Sequence, residues 1–209
     1  MTVEARNRRL SDPVITAAPE IGRIGAVTDH VLDLALARCR RWLDQDIALS
    51  VAVNLSAHCL TEPDLVARIR RALRRHRVPG QLLTLELTEG SVVDDSVRDS
   101  SVLGDLHALG LRLSMDDFGT GYSSLAYLRQ LPLDTIKVDR SFVTDLDVKD
   151  PNIGIIRAVV SLAHGLGITV VADAVVTVGG GATTDMGGFL AARLIGARYL
   201  GHVSSILFL

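Results

Sequence analysis

Five segments of the chain each carry one polar side chain at the end of a short apolar run. These side chains are Asn54, Glu86, Asp116, Lys137 and Asp173. Three carboxylates, a carboxamide and an amine make a hard, oxygen-rich donor set, which suits Mg²⁺ or Mn²⁺ better than zinc. Such sites hydrolyse phosphoesters, because the metals lower the pKa of water and an amine can hold that water or offset charge at phosphorus. The residue types therefore predict phosphoester chemistry, provided that the fold brings the five side chains together.

The runs that carry these residues alternate with helical patterns and short turn signals. Strands are predicted at 49–55, 82–87, 111–116, 134–138 and 168–173. Helices are predicted at 26–45, 62–76, 95–109, 123–130 and 151–166. This alternation is typical of an α/β fold with a parallel sheet and crossover helices. The polar ends of the strands would then meet at the carboxyl rim of a closed barrel, or at a switch point if the sheet were open and doubly wound.

The alternative is that these polar residues face solvent on half-exposed strands. For a single strand that is the better explanation. Five strands with the same phase argue against it, because parallel strands are usually apolar on both faces and buried polar groups cost energy unless they are satisfied.

Asp117 follows Asp116 directly and would point to the opposite face of an ideal strand. If both carboxylates serve one site, the strand must end or bulge there. The glycines of Phe118-Gly119-Thr120-Gly121-Tyr122 could supply such a break.

Composition limits the other classes of function. The chain has 209 residues and a formal net charge of -2, so no global positive field draws it onto nucleic acid or an anionic membrane, and a phosphate-bearing ligand must be caught locally. The arginine-rich segment 68–77 is interpreted as the solvated face of an amphipathic helix, since Leu65, Ile69 and Leu73 repeat at helical spacing and no aromatic residues interleave with the arginines.

Features of the termini and cysteines favour a soluble chain in a reducing compartment. No signal peptide is recognised, Cys39 and Cys59 show no metal-like spacing, and Arg193 and Arg198 interrupt the apolar C-terminal stretch. We therefore expect a cytoplasmic protein without DNA or membrane partners.

Four motifs in a fixed order resemble the EAL-domain family of cyclic-di-GMP phosphodiesterases. They are Asn54-Leu55-Ser56, Glu86-Leu87-Thr88-Glu89, Asp116-Asp117-Phe118-Gly119-Thr120-Gly121 with Tyr122 to Leu125, and Ile136-Lys137-Val138-Asp139-Arg140-Ser141-Phe142. The resemblance extends from about residue 14 to 177 and weakens beyond it. It implies a TIM-like (β/α) barrel that cuts cyclic di-GMP to linear pGpG with two Mg or Mn ions, and it also implies a homodimer.

The same resemblance assigns roles to residues. Asn54, Glu86, Asp116 and Asp117 would be metal ligands, and Lys137 would position the attacking water. Glu89 would steady the flexible loop 119–124.

The chain also departs from the family pattern. The Glu-Ala-Leu signature of the first barrel strand is not found, and Val3-Glu4-Ala5-Arg6 is assigned to a disordered terminus because its spacing to the 26–45 helix is too short. Asp173 stands where the family has a catalytic glutamate, and its side chain is one methylene shorter. Val176 stands where the family has a second glutamate. The glutamine of the family's late Gln-Gly-Tyr is absent from 199–202, and the tail after 177 has the character of a frameshifted sequence.

These matches and departures predict one incomplete barrel over 1–209, with 1–13 disordered, 178–209 divergent and the first strand missing. The expected activity is that of the family, reduced or lost. The alternatives are a degenerate module that binds cyclic di-GMP or a partner protein without catalysis, and a truncated remnant with no function.

Overall fold

The computed structural model describes residues 24–93, 101–119, 128–139, 142 and 151–172. Within them, five parallel strands form one sheet: β1 (Val51–Leu55), β2 (Leu83–Thr88), β3 (Arg112–Phe118), β4 (Thr135–Val138) and β5 (Thr169–Ala172). Their spatial order is their chain order, β1-β2-β3-β4-β5. An open doubly wound sheet reverses its order at a switch point, so this order favours the predicted barrel arrangement.

Helices cross between the strands. They are α1 (Ile24–Leu43), α2 (Ala57–Leu60), α3 (Leu65–His76), α4 (Glu89–Val93), α5 (Val102–His107) and α6 (Pro151–Gly165), and a 3₁₀ turn, Gly80–Leu82, leads into β2. The structure describes no helix that is long and apolar enough to span a bilayer.

The apolar face of the sheet holds the core. Leu83, Leu85, Leu87, Leu113 and Met115 are fully buried there. Buried residues of α1 and α3, including Leu32, Leu36, Leu65 and Ile69, belong to the same cluster. Each strand thus turns one face to the helices, as the alternation of the sequence predicts, and leaves the other face for polar side chains.

Arg68 joins three segments of the helical layer. Its guanidinium pairs with Asp29 of α1 at 3.0 Å, with Asp64 at 2.9 Å and with Glu62 in the turn before α3. The Arg68 side chain is 15% exposed, so these pairs lie partly out of water. This cluster fixes α3 against α1.

The predicted elements are confirmed in kind for the described residues, with two differences. The helix predicted from 62 begins at Leu65, because Pro63 and Asp64 form a turn before it. Of the region predicted as one helix, 95–109, residues 95–100 lie outside those described and Val102–His107 is helical; a separate helix that was not predicted directly follows β2 at Glu89. Of the predicted helix 123–130, only residues 128–130 are described, and Leu128 is helical there.

Candidate active site

The inner face of the sheet carries a row of polar residues in register. Asn54 pairs with Glu86, Glu86 pairs with Ser114, and Ser114 pairs with Thr135. Residues paired across parallel strands project to the same face. Asp116 stands two residues beyond Ser114 and so projects to that face as well.

The strand β3 bulges where its two aspartates stand. Met115 pairs with Ile136 and Phe118 pairs with Val138, so Asp116 and Asp117 together oppose the single residue Lys137. Asp117 adopts a left-handed backbone with φ 53°, and its N–H donates to Asp116 Oδ1 at 3.1 Å. This is the break in the strand that two adjacent carboxylates require.

Lys137 links the carboxylates of two neighbouring strands. Its Nζ lies 3.0 Å from Asp116 Oδ1 and 3.3 Å from Glu86 Oε1. Glu86 and Lys137 are buried, at 4% and 7% exposure, and Asp116 is partly buried. Two carboxylates and one ammonium leave a negative excess, which Asp117 beside them increases. Such an excess attracts a divalent cation.

Glu89 ties the end of β3 to the start of α4. The buried Glu89 carboxylate accepts a hydrogen bond from the N–H of Gly119 at 3.0 Å. Gly119 has φ +103°, a conformation that L side chains rarely adopt. The hydrogen bond therefore holds the first residue of the predicted loop 119–124; residues 120–124 lie outside those described.

The structure thus brings three of the predicted site residues, Glu86, Asp116 and Lys137, into direct contact. Asn54 and Asp117 lie on the same rim but are exposed. Asp173 lies outside the described residues. Within the described part of the chain, no group of three or more His, Cys, Asp or Glu side chains is close enough to hold a metal ion.

Ser114 belongs to this row of polar residues, although no role was predicted for it from the sequence. It is 2% exposed, beside Glu86 in the register, and its hydroxyl finds no hydrogen-bond partner among the described residues. The alternation of side chains along β3 is enough to identify the face of the sheet on which Ser114 lies. Its burial depends on neighbouring strands, which this alternation does not report.

The donor chemistry of this rim fits Mg²⁺ or Mn²⁺. Its ligands would be carboxylate and carboxamide oxygens, the donors that these cations prefer. An ammonium already lies between Glu86 and Asp116, so the two carboxylates are spaced to share a cation. The buried Ser114 hydroxyl adds a polar atom at the same level.

The EAL domain family model matches residues 3–179 of this chain. The match ends close to residue 177, where the sequence resemblance weakens, but it begins earlier than residue 14 and so includes Glu4. The predicted extent of the resemblance was therefore too short at its start.

Two curated relatives come from Pseudomonas aeruginosa. The bifunctional diguanylate cyclase/cyclic di-GMP phosphodiesterase MucR is 40% identical over 161 residues, which cover 77% of this chain and 24% of that protein. The cyclic di-GMP phosphodiesterase NbdA is 41% identical over 170 residues, or 79% of this chain and 21% of that protein. The chain spans about a fifth to a quarter of the length of its curated relatives.

Solved structures share the fold. The MucR phosphodiesterase in complex with c-di-GMP superposes with a TM-score of 0.77 at 35% identity, covering 89% of this chain and 78% of that one. The calcium/cyclic di-GMP complex of Klebsiella pneumoniae BlrP1 gives 0.74 at 28% identity, covering 90% and 45%. The five described strands are thus part of a TIM-like barrel, as predicted.

Proposed function

Because the chain belongs to the EAL domain family, we propose that it hydrolyses cyclic di-GMP to linear pGpG with two divalent cations, at a rate lowered by its departures from the family pattern. The observation that carries this proposal is the contact of Lys137 Nζ with the carboxylates of Glu86 and Asp116 on the inner rim. MucR and NbdA, both phosphodiesterases by name, support the substrate.

In this proposal Asn54, Glu86, Asp116 and Asp117 hold the cations. Mg²⁺ or Mn²⁺ bound there would neutralise phosphate oxygens and lower the pKa of water. The bulge at Asp117 supports a shared role for the two aspartates, since it releases the second one from the opposite face of β3.

Lys137 holds the attacking water against the phosphodiester and offsets the charge that develops on phosphorus. The product pGpG keeps its terminal phosphate on a 5′ oxygen. The water oxygen therefore forms the new bond to phosphorus, the bond from phosphorus to the 3′ oxygen breaks, and the 3′ oxygen takes up a proton. Glu89 fixes Gly119, and through it the end of β3 that carries both aspartates.

The rate is reduced because Asp173 replaces a glutamate. A side chain one methylene shorter displaces the group it holds by about an angstrom, and a misplacement of that size can cost on the order of 100-fold in rate. Val176 removes a second carboxylate.

The test is hydrolysis by the purified chain with Mn²⁺, scored as pGpG by chromatography. We expect slow turnover that Asp116→Asn abolishes, while the matched change Asp44→Asn, at an exposed residue after α1, leaves it unaltered. Turnover that survives Asp116→Asn would contradict the site assignment.

The second candidate is a module that binds cyclic di-GMP without cleaving it. The replacements at 173 and 176 favour it, since the first shortens a catalytic carboxylate side chain and the second removes one, while the Asn54 to Lys137 block stays intact. Calorimetric titration with cyclic di-GMP and Ca²⁺, together with the absence of pGpG in Mn²⁺, would identify the binder.

A further inference from the structure

Five exposed arginines, here called the basic face, lie on α1, on α3 and at the residue directly after α3. They are Arg41, Arg70, Arg71, Arg74 and Arg77. Arg40 of α1 donates to the carbonyl of Arg77 at 3.1 Å, which brings the C-terminal ends of the two helices together. None of the five arginines forms an ion pair with a residue that the structure describes. Nearby, Asp33 and Asp44 pair with Arg75 and Arg40. The five arginines, opposed by the exposed Asp46, therefore leave a local excess of positive charge in a chain of net charge -2.

Exposed aliphatic side chains adjoin the basic face. Of the four large hydrophobic residues exposed in the described part of the chain, three lie on α1 or in the segment after it: Leu34, Ile47 and Leu49, each between 42% and 49% exposed. The N–H of Ile47 donates to the carbonyl of Trp42, and the Leu49 carbonyl accepts from Cys39 Sγ. These hydrogen bonds hold the aliphatic segment against the end of α1.

This surface lies away from the candidate active site. The chain runs from the end of α1 into β1, and from the end of α3 into β2. The C-terminal ends of these helices are therefore at the edge where the strands begin, whereas Asp116 and Lys137 stand near the edge where the strands end. A partner on the basic face would leave the active-site rim open.

The chemistry of the surface selects among anionic partners. Single-stranded nucleic acid needs exposed aromatic rings for stacking, and the one tryptophan of α1, Trp42, has Arg38 over its ring. An acidic polypeptide or a duplex backbone would seat in a groove, but the cavity of about 250 Å³ between α1 and α3 is lined by Asp29 and Asp33 as well as by arginines. Asp29 pairs there with Arg68 and Asp33 pairs with Arg75, so the protein itself already neutralises most of the charge in the cavity.

A bilayer contacts only the outermost side chains. Clusters of about four to eight arginines or lysines are attracted to anionic lipid headgroups, and neighbouring aliphatic side chains can enter the boundary of the acyl chains. We propose that the basic face, with Leu34, Ile47 and Leu49, docks this protein peripherally on an anionic phospholipid bilayer, with the active-site rim turned to the aqueous phase. Global charge and the lack of a spanning helix among the described residues do not oppose this, because the contact is local and superficial.

The test is sedimentation of the full chain with sucrose-loaded vesicles of phosphatidylcholine, with and without 30% phosphatidylglycerol. We expect sedimentation with the anionic vesicles only, and release as NaCl rises, because salt screens exposed charges. The double variant Arg70→Glu/Arg74→Glu should lower the partition by at least about tenfold. Arg70→Lys/Arg74→Lys keeps the charge and should bind like the parent chain.

Two further variants separate the contributions. Ile47→Ser/Leu49→Ser should weaken binding to anionic vesicles without changing its salt dependence. The matched control Arg157→Glu, on the exposed surface of α6 beside β5 rather than β1, should bind unchanged. Circular dichroism on each variant verifies that it is folded.

The proposal is overturned if the parent chain stays in the supernatant, if Arg70→Glu/Arg74→Glu sediments like the parent, or if neutral vesicles bind equally well. Tighter retention on duplex DNA than on vesicles at the same salt would assign the face to nucleic acid instead. None of these outcomes depends on cyclic di-GMP hydrolysis, so the two proposals fail separately.

Discussion

Lys137 stands between two of the carboxylates that the proposed metal site needs. Its ammonium, 3.0 Å from Asp116 and 3.3 Å from Glu86, occupies part of the space and offsets part of the negative charge that a cation entering there would use. Lysine and metal thus compete for the same carboxylates, although the proposed reaction needs both. The lysine must turn toward the water as the cation enters.

Lys137→Met should therefore separate binding from turnover. We expect Ca²⁺ affinity to rise about tenfold, equivalent to roughly 1.4 kcal/mol, because the competing charge is gone. Hydrolysis in Mn²⁺ should fall by about a hundredfold or more, because the group that holds the water is lost. Calorimetry and pGpG formation measure the two effects, and Lys137→Arg, which keeps the charge, should leave the Ca²⁺ affinity near that of the parent chain. A lower Ca²⁺ affinity in Lys137→Met would contradict the competition.

Cys59 makes stability depend on alkaline pH. Burial raises the pKa of its thiol above the ordinary value of 9.0, in spite of the Thr28 hydroxyl 3.2 Å from Sγ. Above that pH the unfolded chain has lost the thiol proton and the folded chain keeps it, so the free energy of unfolding falls as pH rises. We expect Cys59→Ala to reduce this decline in urea titrations between pH 8 and 10. Parallel curves for the two chains would show that the thiol does not contribute.

At the scale of the element, the turn after β3 depends on Gly119. An added Cβ would lie 2.7 Å from Cε2 of Phe142, and φ +103° is strained for any L side chain. Gly119→Ala should lower the free energy of unfolding by about 1 to 3 kcal/mol and should also slow hydrolysis, because Glu89 can no longer hold the end of β3.

Gly104 of α5 provides the matched control, since a Cβ added there would meet nothing within 4 Å and its backbone is helical. Gly104→Ala should stabilise the chain by about 0.5 to 1 kcal/mol. Thermal unfolding measures the expected loss of stability in Gly119→Ala and the expected gain in Gly104→Ala. A Gly119→Ala chain as stable as the parent would show that an alanine at 119 causes no backbone strain.

The contact between α1 and α3 depends on Arg68 and its three carboxylates. Arg68→Met leaves Asp29, Asp64 and Glu62 without their shared cation, so we expect a loss of about 1 to 3 kcal/mol of stability. Arg70→Met, an exposed neighbour without a described carboxylate partner, should change the stability little. Urea unfolding of both variants gives the comparison, and equal stabilities would mean that the cluster contributes nothing net.

The elements were largely predictable from the sequence, because each strand repeats with period 2 and each helix with period 3.6. The period of 2 along the strands predicted that Glu86, Asp116 and Lys137 lie on the same face of the sheet. The bulge at Asp117 was also foreseeable, because two adjacent carboxylates cannot serve one face of a regular strand. The separate α4 was not, since Glu89-Gly90 continues β2 without a turn signal.

The contacts within the site were less predictable, for a physical reason. The alternation along a strand determines on which face of the sheet a side chain lies, but the register between strands determines which carboxylate contacts Lys137. Lys137 reaches Asp116 because one residue of β4 opposes two of β3, and the separate sequence runs do not encode that alignment. The roles assigned to all the site residues stay predictions, as does the frameshift of the tail; these residues are Asn54, Glu86, Glu89, Asp116, Asp117, Lys137 and Asp173.

At the scale of the whole molecule, the C-terminal ends of α1 and α3, which carry part of the basic face, lie at the edge of the sheet where the strands begin, and the acidic rim lies at the edge where they end. The net charge of -2 does not reveal either the positive charge of the basic face or the negative charge of the rim. In a chain organised in this way, arginine side chains at one end would bind an anionic surface, and carboxylates at the other end would bind metal cations. Reversing the charge of a residue at one end should weaken anion binding there if the residue is an arginine, and cation binding there if it is a carboxylate. Variants at one end are therefore controls for the other.

Ligand binding at the rim should stabilise the whole fold, because β1 to β4 each contribute a proposed site residue. A ligand that binds only the folded state at 100 times its Kd adds about 2.7 kcal/mol, and each kcal/mol raises the melting temperature of a chain of this size by about 2 to 4 °C. Ca²⁺ with cyclic di-GMP should thus raise the melting temperature by several degrees in the parent chain and far less in Asp116→Asn. Differential scanning fluorimetry measures the shift without requiring turnover, so an inactive binder still gives it. A parent chain whose melting temperature does not move would exclude the phosphodiesterase and the cyclic di-GMP binder, and would leave the module that binds a partner protein and the remnant without function.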